Sequence, residues 1–149
     1  MLKTLRTWDI FDTLIARKCV FPHIVFQIIE QISKINGFAN IRGAAAEVAG
    51  KTVENCTLDD IYDVMCKISN IPHQIVEKLK QLECNVEIDQ IIPITENLNQ
   101  VKSGDILISD MYLPDEVILK MLDKVGLSVP IELVITLDGK ARGGGMETI

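Results

Sequence analysis

Three short clusters of polar residues each follow an apolar, strand-forming stretch of this sequence. Asp9, Asp12 and Thr13 come after the first stretch, Ser109 and Asp110 after the second, and Thr136, Asp138 and Lys140 after the third. A carboxylate can attack an electrophilic phosphorus or carbon, a hydroxyl can hold an oxygen of the transferring group, and an ammonium can offset the charge of both. Acid, hydroxyl and cation in that order therefore point to covalent group transfer through an aspartate.

Such residues act together only if their elements bring them to one place. Thr4 to Phe11 reads as a buried strand that delivers carboxylates at its C-terminal end. From Pro22 the period becomes helical, with Ile24, Val25, Ile28, Ile29 and Ile32 on one face and a C-cap expected at Asn36-Gly37. A second helix is expected over Ala39 to Lys51, and a third after Thr57, which pairs with Asp60 as a capping arrangement. A fourth starts at Pro72, and a shorter one covers Thr95 to Val101. Ile106 to Asp110 is a second strand, Pro114 opens an amphipathic helix that Gly126 ends, and Ile131 to Leu137 is a third strand.

Strand, long helical insert, strand, helix, strand is the rhythm of an α/β fold with a parallel sheet, because strands joined through helices do not pair as hairpins. In open sheets of this kind, sites form at the carboxyl ends of the strands, where all three polar clusters fall. The expected organisation is a core in two parts, 1–21 and 101–149, around a helical insert at 22–100.

The 149 residues are 48% hydrophobic, which suits a compact fold rather than a disordered chain. A net charge of −6, with no basic run interleaved with aromatic residues, argues against nucleic acid and anionic membrane as partners. The N-terminus lacks the apolar region of a secretion signal, and no apolar run approaches the roughly 20 residues that span a bilayer. Cys19, Cys56, Cys66 and Cys84 form no C-x-x-C pair, so they are expected to be reduced core residues of a cytoplasmic protein. His23 and His73, each after a proline, are expected at helix starts facing solvent, and Trp8 and Phe11 in the core.

Asp9-Ile10-Phe11-Asp12-Thr13-Leu14 resembles the first motif of the haloacid dehalogenase (HAD) hydrolases, D-x-D-x-T-L, with Asp9 as nucleophile. Ile106-Leu107-Ile108-Ser109 is similar to the second motif, and Lys140, followed by Gly143, resembles the third. The helical stretch lies where members with a C1-type cap insert it. The resemblance implies a Rossmann-like three-layer core with an incomplete parallel sheet of about three strands. It also implies a phosphatase of a small phosphorylated metabolite, in which Asp9 forms an aspartyl-phosphate. Thr13 and Ser109 would contact phosphoryl oxygens, and Lys140 would steady the charges. Arg17, from its position after the first motif, is expected either to meet substrate at the cap boundary or to form a surface ion pair. Mg2+ would be held by the Asp9 carboxylate, the Phe11 main-chain carbonyl and acids of a fourth motif.

Two departures shape the alternatives. Phe11 stands where the phosphatases carry a proton-transferring Asp, which leaves Asp12 as its substitute or, alternatively, suggests a carbon-directed, dehalogenase-like enzyme. No acidic pair follows Lys140. A C-terminally truncated, inactive or non-catalytic fragment is therefore the other expectation, with an unpaired sheet edge beside Asp9 open to self-association. A phosphoacceptor receiver domain ranks last, since it has no room for an insert from Pro22 to Gln100.

Overall fold

The computed structural model describes residues 5–136. Its elements run β1 (Thr7–Asp9), β2 (Ile15–Arg17), α1 (Pro22–Ser33), α2 (Phe38–Thr52), α3 (Leu58–Ile68), α4 (His73–Asp89), β3 (Ile91–Pro93), α5 (Thr95–Leu98), β4 (Ile106–Ser109), α6 (Asp115–Lys124) and β5 (Glu132–Ile135). The chain is mixed α/β and divides into two compact units. One takes in the described residues through Ala16, Ile91–Met111 and those from Asp115 on; the other is Arg17–Gln90 with Tyr112–Pro114. The insert is expected at 22–100; the main segment of the second unit begins earlier, at Arg17, and ends earlier, at Gln90, with β3 and α5 grouped with the first unit.

The first unit holds a three-stranded parallel sheet in the order β1-β4-β5. Register pairs Asp9 with Ile108 and Ser109 with Ile135. The crossover from β4 to β5 runs through α6, whose Val117, Ile118, Met121 and Leu122 are buried, as the spacing of its apolar residues requires. β1 is not the buried strand that its composition suggests. Among the described residues it pairs on one side only, so Thr7 and Asp9 are exposed and Trp8 is half-buried, whereas Ile10 just beyond is sealed. β2 and β3, which have no alternating pattern to announce them, form a separate two-stranded antiparallel ribbon. Its ends are tied by Lys18 N–H to the Gln90 carbonyl and Ile94 N–H to the Leu14 carbonyl.

The second unit is built from α1 to α4. Pro22 opens α1, which stops at Lys34 in a left-handed conformation, short of the Asn36-Gly37 end that the sequence suggests. Thr57 and Asp60 form a reciprocal capping box on α3, satisfying two backbone donors that would otherwise be unpaired. The unit's interior mixes apolar residues such as Val25, Ile29, Ala45, Met65 and Val76 with a buried arginine, Arg42, and two buried glutamates, Glu83 and Glu87. Of the cysteines only Cys84 is buried; the other three are half-buried, and all four are free thiols. No helix among the described residues is long and apolar enough to cross a membrane.

Candidate active site

After Asp9 the chain folds back on itself around a single acceptor. The Ile10 carbonyl receives N–H groups from Leu14 at 2.8 Å, Ile15 at 3.1 Å and Thr13 at 3.4 Å, while Ile10 N–H continues the ladder to Ile108. Leu14 and Ile15 are fully buried and anchor the far side of the loop. Asn97 of α5 donates to the Thr13 carbonyl at 2.9 Å, which fixes the loop from the side. The turn is completed by Asp12, which adopts φ +65° and donates its N–H to the Ile15 carbonyl at 2.7 Å. Asp is one of the few residues that tolerate this left-handed geometry. The loop therefore holds Asp9 and Asp12 exposed on a hydrogen-bonded backbone, with Phe11 and Thr13 half-buried beside Asp12.

Ser109 ends β4 and is buried; its Oγ accepts the Met111 N–H at 3.2 Å, and its carbonyl accepts the Thr136 N–H at 2.8 Å. The carboxyl ends of β1, β4 and β5 thus present Asp9, Ser109 and Thr136 along one edge of the sheet, as a parallel arrangement dictates. Pleating qualifies this. Paired residues share a face and successive residues alternate, so Asp9 goes with Ile108 while Ser109 goes with Ile135. The Asp9 and Ser109 side chains leave the sheet on opposite sides. Among the described residues neither makes a hydrogen bond to the other. A group held by both would have to sit beyond the strand ends. The Thr136 hydroxyl at the next strand end is buried without a hydrogen-bond partner among the described residues.

Lys140, with Asp138 and Gly143, lies outside the described residues. Arg17, expected at substrate, belongs to the helical unit and is committed there to Glu87. Its Nε and Nη2 donate to the two carboxylate oxygens at 3.0 and 2.8 Å. Burial works against the charge, but the hydrogen bonds and attraction of Glu87 outweigh it and raise the Arg17 pKa above its ordinary value. The pair is largely shielded rather than lying on the surface, with the Arg17 and Glu87 side chains 10% and 1% exposed.

For magnesium, the loop offers the Asp9 and Asp12 carboxylates and the Phe11 carbonyl. The ion prefers octahedral oxygen coordination at strict distances. No group of three His, Cys, Asp or Glu side chains that could hold a metal is assembled among the described residues. These residues alone do not fit the ion.

The charged interior of the helical unit is not announced by residue spacing alone. Its one trace is that Glu83 and Glu87 stand four residues apart on α4, among the buried Val76, Leu79, Cys84 and Val86. Compared with known proteins, the chain matches no family model and no curated protein.

Proposed function

We propose that this chain is a HAD-type hydrolase acting on a small phosphorylated metabolite through Asp9. The observation that carries the reading is the neighbouring parallel pair β1 and β4, separated in sequence by a helical unit and ending in Asp9 and Ser109. In the proposed reaction an Asp9 oxygen attacks phosphorus, and the bond from phosphorus to the ester oxygen breaks. The leaving oxygen takes a proton from Asp12. Water, giving a proton to the Asp12 carboxylate, then attacks the phosphorus of the aspartyl-phosphate; the bond from phosphorus to the Asp9 oxygen breaks, which releases inorganic phosphate and restores both Asp9 and protonated Asp12. Ser109, Thr13 and, from the sequence, Lys140 would steady the phosphoryl oxygens. Four free thiols agree with a reducing compartment, and we assign the protein to the cytoplasm on that basis.

Hydrolysis of para-nitrophenyl phosphate, with and without added magnesium, tests the proposal. Turnover that falls to background in Asp9→Asn is the expected result; equal turnover in that variant rejects Asp9 as nucleophile. Phe11 favours one second reading, a carbon-directed enzyme, because its side chain moves no proton where the phosphatases carry an acid. Metal-independent halide release from a haloacid, lost in Asp9→Asn, would select it.

A further inference from the structure

The helical unit carries an open cleft of about 910 Å³, formed by the end of α1, the start of α2, the α3–α4 connection and one side of α4. Ile35, Ile41, Ile71, Ile75, Leu79 and Leu82 line it. Leu79 is buried at its base, and the other five are half-buried, held by their neighbours while still facing open space. Its size lies within the roughly 300–1,000 Å³ typical of small-molecule sites.

The lining has a definite chemistry. Every apolar side chain named is aliphatic, and no aromatic ring lines the cleft to stack a planar ligand. Two lining hydroxyls are spent on the backbone: Ser69 Oγ donates to the Met65 carbonyl at 2.6 Å and Ser33 Oγ to the Glu30 carbonyl at 3.5 Å. The side chains of Asn36, Asn70 and Lys78 make no hydrogen bond or ion pair with any described residue, and all three are exposed. Lys78 is the sole ionisable residue among those lining the cleft. An aliphatic trough edged by two amides and one unopposed ammonium complements a flexible hydrocarbon chain that ends in an anion.

We infer that this cleft binds a fatty-acid-like carboxylate, with the chain against the isoleucines and leucines and the carboxylate at Lys78. A cationic amphiphile would meet the ammonium with like charge. The inference does not depend on Asp9 chemistry, since every lining residue belongs to the helical unit.

The test is a fluorescence titration of the full chain with dansyl-labelled undecanoic acid, competed by dodecanoate, its methyl ester and dodecyltrimethylammonium. Saturable binding is expected, with the ester and the cation competing at least about tenfold more weakly than dodecanoate, as a charge-assisted hydrogen bond requires. Lys78→Glu, a change at an exposed position, should weaken binding by about tenfold or more at unchanged helical circular dichroism. Ile75→Trp should obstruct the apolar floor of the cleft and weaken binding at unchanged helical circular dichroism. No saturable binding, equal competition by the ester, or unchanged affinity in Lys78→Glu would each overturn the assignment. So would a dimer in sedimentation that Ile75→Trp dissolves, because the cleft would then be covered by a second copy.

Discussion

Arg42 and Glu83 form a two-point ion pair sealed from solvent. Arg42 Nε donates to Oε1 at 2.7 Å and Nη2 to Oε2 at 2.8 Å, with side chains 1% and 0% exposed. Tyr62 adds a hydrogen bond from its hydroxyl to the same Oε1 at 2.6 Å, and the guanidinium lies 4.3 Å from the centre of the Phe26 ring. Burial alone would disfavour the arginine's charge, but Glu83 more than restores it and the Arg42 pKa is raised. Deleting one partner strands the other charge in the interior. Arg42→Met and Glu83→Leu should each destabilise the helical unit by about 3–5 kcal/mol, and the double variant by clearly less than the sum. Urea unfolding of the four proteins measures this; additive losses would mean that the two residues stabilise the unit independently.

Both tyrosines of the chain lie close to this charge pair. Tyr112 has its hydroxyl pushed up to about 12 by burial first and by the negative charge of Glu83 second. Tyr62 is raised further, by burial and then by Glu83. The neutral form is thus favoured in the fold, while an unfolded tyrosine ionises near pH 10. The stabilisation is whole below about pH 10 and is lost as pH rises toward 12 and beyond, since the unfolded chain releases its protons first. With two tyrosines in all, tyrosinate absorbance should be absent from the native protein at about pH 10.5, where free tyrosine is mostly ionised. Half-titration near pH 10 would contradict the buried placement of both rings.

Asp105 behaves in the opposite sense. The Lys102 N–H reaches its carboxylate at 2.8 Å, Trp8 Nε1 at 3.0 Å and Arg6 Nε at 3.3 Å. The Lys102 hydrogen bond leads in holding its pKa below the ordinary value, with Trp8 and Arg6 assisting. A depressed carboxylate stabilises the fold above its unfolded pKa, near 3.9, and this contribution disappears as pH falls through the lower folded value. Asp105→Asn should therefore flatten the loss of stability below about pH 4 while lowering stability at neutral pH. An unchanged acid limb would show that the carboxylate is not held in this network.

How far these arrangements were legible differs by residue. Hydrophobic period exposed α6 and the parallel order of β4 and β5, because Val117, Ile118, Met121 and Leu122 repeat at helical spacing after a turn of residues that suit a helix start. Thr57 and Asp60 announced their capping box because its chemistry is local. Arg42 did not announce itself: its partner is 41 residues away, and a charge in an alanine-rich helix looks the same in sequence whether solvent or a glutamate receives it. Asp9 could be placed at a strand end, but its exposure depends on which strand lies beside β1, which spacing does not encode.

Val20 adopts φ +66°, a left-handed conformation that its branched side chain disfavours, and it is 71% exposed. Little burial is lost on replacing it. Val20→Asn or Val20→Gly should raise stability by about 0.5–1 kcal/mol, part of the left-handed penalty being offset by the freedom gained in the unfolded chain. The midpoint of urea unfolding reports the change. A fall in that midpoint would show that the valine side chain makes stabilising contacts that outweigh its strain.

Asp12 has the same handedness at φ +65° but a different reason to be there. If backbone geometry were its sole role, glycine would serve at least as well, and Asp12→Gly would raise stability without changing turnover. The proposed reaction asks more of it, because an alkyl phosphate leaves as an alkoxide that needs a proton, whereas nitrophenolate leaves without one. Asp12→Asn keeps a residue suited to the turn and deletes the acid. Turnover of an alkyl phosphate should fall by about 10²–10⁴ in Asp12→Asn and Asp12→Gly alike, while that of para-nitrophenyl phosphate changes far less. Equal losses on both substrates would make Asp12 a residue that shapes the loop, and the proton donor would have to be sought elsewhere. A loss in Asp12→Gly alone would trace the effect to loop rigidity, since the asparagine variant lacks the carboxyl as well.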